Sequence, residues 1–141
     1  MTTVATPVTS PDPQAFKTAV REQWDRSATG WNHHTAAIHA WLRRPTDAML
    51  DMAGVAPGAA VLDVAAGAGD QTLDIARRVG PTGRVLATDL SPAILALAEH
   101  NARQRLLLDD GSTQRDPARI AWLDGRAAPR VGDTVHGAEG V

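Results

Sequence analysis

The stretch from Val61 to Asp89, VLDVAAGAGDQTLDIARRVGPTGRVLATD, limits the possible folds more than any other part of the chain. An apolar strand (Val61, Leu62, Val64) carries Asp63 and enters the tight turn Ala65-Ala66-Gly67-Ala68-Gly69. A helix of about Asp70 to Val79 follows, with Leu73, Ala76 and Val79 on one face, and stops at Gly80-Pro81. Thr82-Gly83 turns the chain into a second strand, Arg84 to Thr88, which ends at Asp89. Strand, helix and strand joined by short connections predict a right-handed crossover and a parallel pair. The expected class is therefore α/β, a doubly wound sheet of nucleotide-binding type.

Composition narrows the field. With 141 residues the chain is one ordinary domain, and a formal charge of -2 gives no electrostatic reason to expect nucleic acid or an anionic membrane. There are no cysteines, which excludes disulfides, thiolate metal sites and a cysteine nucleophile. No apolar run approaches the ~20 residues that cross a bilayer. The opening MTTVATPVTSPDPQ has no basic region followed by an apolar one, so it is not a secretory signal. A cytoplasmic protein is expected.

Residues 1–10 are expected to be a disordered leader and 11–54 a set of two or three covering helices. Ser10-Pro11-Asp12 has the form of a helix start, and Phe16, Val20 and Trp24 share a face. That helix is expected to end between Ser27 and Gly30, with Trp31 to His34 as a connector. A second helix carries Ile38, Trp41 and Leu42, and Pro45 breaks it, because proline lacks the N–H and clashes with the preceding turn. The restarted helix would bury Met49, Leu50, Met52 and Ala53 and end at Gly54 as a left-handed cap. Residues 55–104 form the βαβα unit, in which Ser91-Pro92 starts a helix with Ile94, Leu95, Leu97, Ala98 and Ala102 as its apolar positions. Residues 105–141 read as an irregular tail with one strand-like run, 119–124, a candidate for a third strand that a long, irregular connection from Gln104 to Ala118 argues against.

A strand that feeds a glycine turn and a helix N-terminus accepts anions or nucleotides through close backbone approach and exposed N–H groups. A P-loop is out, because Gly69-Asp70-Gln71-Thr72 stands where Gly-Lys-Ser/Thr is required. A dinucleotide fingerprint fits Gly67-x-Gly69 and the acid Asp89, but Thr72 holds the third glycine position and Asp63 would face a pyrophosphate. Carboxylates on both sides of the turn suit a cationic ligand without phosphate, and S-adenosylmethionine has that chemistry. Val61-Leu62-Asp63-Val64-Ala65-Ala66-Gly67-Ala68-Gly69-Asp70 resembles motif I of class I S-adenosylmethionine-dependent methyltransferases, and Val85-Leu86-Ala87-Thr88-Asp89-Leu90-Ser91 is similar to their second-strand motif. The Gly-Asp and Asp-x-Ser details resemble the branch that includes the ubiquinone/menaquinone-biosynthesis C-methyltransferases.

The resemblance covers roughly Trp24 to Ala102 and implies a Rossmann-like methyltransferase fold, S-adenosylmethionine as cofactor and a small-molecule methyl acceptor. It implies that Asp63 serves the amino end of the cofactor, that Gly67 and Gly69 let the chain pass beneath it, and that Asp89 takes the ribose hydroxyls with Leu90 against the adenine. Ala65 stands where the family often has glycine. Asp124, at the end of the third strand, would contact the adenine amino group, while Trp31 and His34 would face the acceptor. Other residues have plainer readings. Trp24 and Trp41 pack helices on the sheet, Asp51, Asp70 and Asp74 are solvated, and His33, His34 and His39 lack the i, i+4 spacing of a metal pair. The later strands are not recognisable, so a truncated chain with an open sheet edge, prone to self-association, is expected. Two other functions stay open: a non-catalytic cofactor-binding fragment or partner subunit, and an NAD-dependent oxidoreductase.

Overall fold

The computed structural model describes residues 12–108 and 120–124. Its elements in chain order are α1 (Pro13–Met52), β1 (Ala60–Val64), α2 (Asp70–Val79), β2 (Arg84–Asp89), α3 (Pro92–Leu108) and β3 (Ile120–Asp124). The strands form one parallel sheet in the order β1-β2-β3. Val61, Val85 and Ile120 lie level across it, as do Asp63, Ala87 and Trp122. This is the α/β arrangement expected from the strand–turn–helix–strand pattern, with the third strand in place.

Helices α2 and α3 cover the face to which Val85, Ala87 and Ile120 point. Leu73, Ile75 and Val79 from α2 and Leu95 and Ala102 from α3 close the core over it. The alternate positions Leu62 and Val64 of β1 are 59% and 70% exposed. Parallel strands are normally covered on both faces, so this face is apolar without a cover among the described residues. At the start of α3, the Ser91 hydroxyl accepts from the Ile94 N–H at 3.2 Å, as the Ser-Pro pattern predicts.

The N-terminal region differs from the expected set of short helices. It is one 40-residue helix that runs through Ser27–Gly30, through the expected connector 31–34 and through Pro45. Its cap is Asp12, whose carboxylate accepts from the Gln14 N–H at 3.0 Å, with Pro13 in the first helical position. Ser10 lies outside the described residues. The physical reason for the continuity is tertiary. Asn32 accepts from Asn101 of α3 at 2.6 Å, Thr35 donates to Asp70, His39 bonds Asp74 at 2.6 Å, and Asp51 accepts from Arg78 at 2.5 Å. These bonds hold the helix on both sides of Pro45, and the carbonyl that proline strands belongs to Trp41, itself 79% exposed, where water can take the bond. Asp70 and Asp74 are thus half-buried anchors, contrary to the solvated positions expected; Asp51 is exposed but paired. Leu50 is buried, but Met49 and Met52 are not, and Trp41 does not pack on the sheet.

Gly83 shows how tightly the crossover is closed. A Cβ there would lie 2.4 Å from the Val79 Cβ and 2.9 Å from the Ala59 carbonyl oxygen, two groups that cannot both yield. Gly83→Ala should therefore destabilise the chain by about 1–3 kcal/mol, the usual cost of overpacking. A thermal melt checks this, and an unchanged midpoint would contradict the packing described.

Candidate functional site

At the carboxyl ends of β1 and β2, α1 passes over the two turns that leave the sheet. Beneath it is a cavity of about 480 Å³, of the size that takes a cofactor. Its floor is the turn 65–68 with Asp89 and Leu90, and its wall is α1 through Trp24, Trp31, Ile38 and Leu42. This is where ligands bind in open α/β sheets, outside the strand ends.

Asp89 organises the floor. One carboxylate oxygen accepts from the Gly67 N–H at 3.0 Å and the other from the Ser91 N–H at 2.9 Å. The same side chain therefore fixes the glycine turn and the start of α3, and its remaining lone pairs border the cavity. Arg21 donates to the Leu90 carbonyl at 3.3 Å, and Asp25 accepts from the Ser91 hydroxyl at 2.5 Å, so α1 clamps the second turn as well. Asn101 donates to the Ala68 carbonyl at 3.2 Å and ties the glycine turn to α3.

The glycines of the turn are needed for different reasons. Gly69 caps α2 at a φ of +88°, and a Cβ there would meet the Ala98 Cβ at 3.0 Å. No side chain caps α2 at this end, so its first N–H groups face the cavity region without a competing side-chain acceptor. Ala65 has a φ of +62°, in the left-handed region where a Cβ costs about 1–2 kcal/mol. That strain explains why glycine suits this position in the resembled family.

The other expected site residues fall in different places. Trp31 lines the cavity and stacks at a tilt on Trp24, with ring centroids 5.9 Å apart. Trp24 is thus part of the cavity wall, not a packing residue on the sheet. His34 lies outside the cavity, in a shallower depression along α1 beside Arg26 and Trp41. Asp124 ends β3 in register with Asp89, one strand further from the cavity, and does not line it. Sequence reasoning missed Thr35 and His39, which line the cavity and bond acids of α2. Their i, i+4 spacing matched that of Asp70 and Asp74, which was the available signal. Among the described residues no group of three or more metal-ligating side chains is assembled.

Asp63 is buried below the turn and does not line the cavity; Thr72 donates to its Oδ2 at 2.6 Å. Burial pushes its carboxyl above the ordinary 3.8, the Thr72 hydroxyl opposes that rise, and the negative Asp89 adds to it. A carboxyl protonated more readily in the folded chain makes the native state bind more protons than the unfolded one. Its contribution to stability therefore falls as pH rises from about 3.8 through the raised value. Relative to the wild type, Asp63→Asn should gain stability between pH 4 and pH 7. Denaturant melts across that range check the sign, and a constant difference would contradict it.

The comparisons with known proteins agree with this geometry. Residues 33–128 match the model of the ubiE/COQ5 methyltransferase family. The ubiquinone/menaquinone biosynthesis C-methyltransferase UbiE of Hahella chejuensis is 39% identical over 74 residues, 52% of this chain and 26% of that protein. UbiE of Klebsiella pneumoniae is 33% identical over 100 residues, 62% of this chain and 39% of that one. The chain thus spans between a quarter and two fifths of these relatives. A Methanococcus maripaludis protein, provisionally assigned as an S-adenosyl-L-methionine-dependent methyltransferase, shares the fold with a TM-score of 0.52 at 17% identity, over 72% of this chain and 41% of that one. Taken with the glycine turn and its flanking acids, the match over 33–128 makes this chain a member of the ubiE/COQ5 methyltransferase family.

Proposed function

We propose that the cavity under α1 binds S-adenosylmethionine and that the chain is the cofactor-holding part of an enzyme that methylates a small molecule. The observation that carries this reading is the Asp89 carboxylate, fixed by two backbone N–H groups at the edge of a glycine-floored, apolar-walled cavity. A fixed carboxylate beside such a floor suits the two hydroxyls of a ribose. Leu90 and Ile94 give an apolar surface for a purine. Gly67 and Gly69 keep the floor low, Asp63 serves the amino end from below, and Asp124 extends the acidic edge toward the adenine. Trp31, with Trp24, borders the side on which an acceptor would enter, and His34 stands further along α1.

When bound, S-adenosylmethionine supplies a methyl group on a sulfonium, whose positive charge suits a site bordered by Asp70 and Asp89. The chain's own contribution is positioning, worth up to ~7–11 kcal/mol in a displacement at carbon. The relatives' names bring a quinone-type acceptor and methylation at carbon into the proposal. The dinucleotide reading gains nothing, since Thr72 holds the third glycine position of its fingerprint and the family matched is one of methyltransferases. We place the protein in the cytoplasm; no described helix is long and apolar enough to cross a membrane. The division into a cover (11–54) and a cofactor unit (55–104) follows the same reading.

Titration of the chain with S-adenosylmethionine in a calorimeter should give saturable binding, and Asp89→Ala should weaken it at least tenfold, the loss of about 1.4 kcal/mol or more expected for a charged acceptor. Binding that is absent, or unaffected by the substitution, would end the assignment.

A second reading, a cofactor-binding partner that needs another polypeptide for chemistry, is favoured by the exposed Leu62 and Val64 and by the edge of β1, which no strand among the described residues pairs. The same surface is the proposed route of self-association. Sedimentation should show concentration-dependent association that Val64→Lys reduces, and a clean monomer at all concentrations would count against it.

A further inference from the structure

Two residues on the outer side of α1 have no explanation among the described residues. Gly30 is in the interior of the helix, where glycine is disfavoured relative to alanine, yet a Cβ added there would meet nothing within 4 Å. Trp41 is 79% exposed, although an indole gains more from burial than almost any other side chain. Both line the shallow depression on α1, which also holds Ser27, His34 and Ala37. Asp25, Asn32, Thr35 and His39, on the other side of the helix, already bond α2 and the α3 region. On the outer side Ser27, Gly30, His34, Ala37, Trp41 and Arg44 recur at alternating steps of three and four. That spacing is the seam of a two-helix pair.

We propose that this seam is the contact between two copies of the chain, paired antiparallel through α1 so that Trp41 of each fills the space over Gly30 of the other. A two-fold axis between residues 35 and 36 makes both contacts at once, as a closed, self-complementary interface requires. In that register His34 meets Ala37 and Ser27 meets Arg44, so the seam sets no like charges and no two bulky residues against each other. Charge complementarity fixes the choice. Beside the seam, Arg26 of each copy lies next to Asp47 of the other. Within one chain these two groups make only exposed pairs, Arg26 with Glu22 at 3.8 Å and Asp47 with Arg43 at 3.4 Å, so both can bridge the interface. A slide of one heptad moves Trp41 onto Gln23 or Ala37 and loses the Arg26–Asp47 pairs. A parallel pair sets Trp41 on Trp41 and Arg44 on Arg44. The second copy also backs the cavity, since Trp31 and Ile38 line both it and the depression. The interface is separate from the β1 face and does not depend on which ligand the cavity takes.

Sedimentation of the full chain tests this, with Val64→Lys used to remove association through the β1 face. Val64→Lys should pass from monomer to dimer as concentration rises and stop there. In that background Trp41→Glu and Gly30→Leu should each weaken the dimer at least tenfold without lowering the thermal midpoint, because the indole is exposed and the space over the glycine is open. Arg26→Glu or Asp47→Lys alone should weaken it a few-fold, as exposed ion pairs do, and the two together should restore it. A monomer at every concentration up to the solubility limit would overturn the proposal. So would a dimer that Trp41→Glu and Gly30→Leu leave intact. Charge reversals that do not compensate each other would overturn the antiparallel register.

Discussion

The carboxylate of Asp89 joins the two turns that floor the cavity. With one oxygen on the Gly67 N–H and the other on the Ser91 N–H, it sets the distance between the end of β1 and the start of α3. That distance is the width of the cavity floor. The left-handed Ala65, the left-handed Gly69 and the close approach of Gly69 to Ala98 all follow from keeping the turn low and narrow at that point. A parallel sheet offers such a crevice only at its carboxyl end, so the strand order and the acid act together.

The second constraint is α1. A helix with proline inside has little reason to persist in isolation, and its charged faces would not hold it. It persists because it meets α2 through Thr35, His39 and Asp51 and meets α3 through Asp25 and Asn32. Apart from the exposed Asp51–Arg78 pair, these contacts are polar and half-buried, where hydrogen bonds to charged groups contribute more than exposed ion pairs. The helix leaves its apolar side chains, Trp24, Trp31, Ile38 and Leu42, to wall the cavity. The cover and the site are one construction.

Much of this was legible in the residues. Period and turn chemistry located β1, α2, β2, the start of α3 and the strand at 120–124, because each rests on local signals: apolar runs, glycine punctuation and a Ser-Pro cap. The ligand class was legible from charge, since Asp63, Asp70 and Asp89 around a glycine turn do not suit phosphate. Three things were not legible. The continuity of α1 depends on partners 27 and more residues away, so the local penalty at Pro45 suggested a break that tertiary bonds override. The anchoring by Asp70 and Asp74 was hidden for the same reason, as acids on a helix look solvated until the facing helix is known. The third is the role of Thr72: in the motif it occupies a glycine's place, and only the fold shows the carboxylate it holds.

The central claim is that the cavity between α1 and the two turns is where S-adenosylmethionine binds. Hydrogen–deuterium exchange with and without that ligand tests it most directly. Protection confined to 65–70, 89–91 and the segment of α1 around 24–46 is the result expected. Unchanged exchange in those segments, or protection located elsewhere, would contradict it.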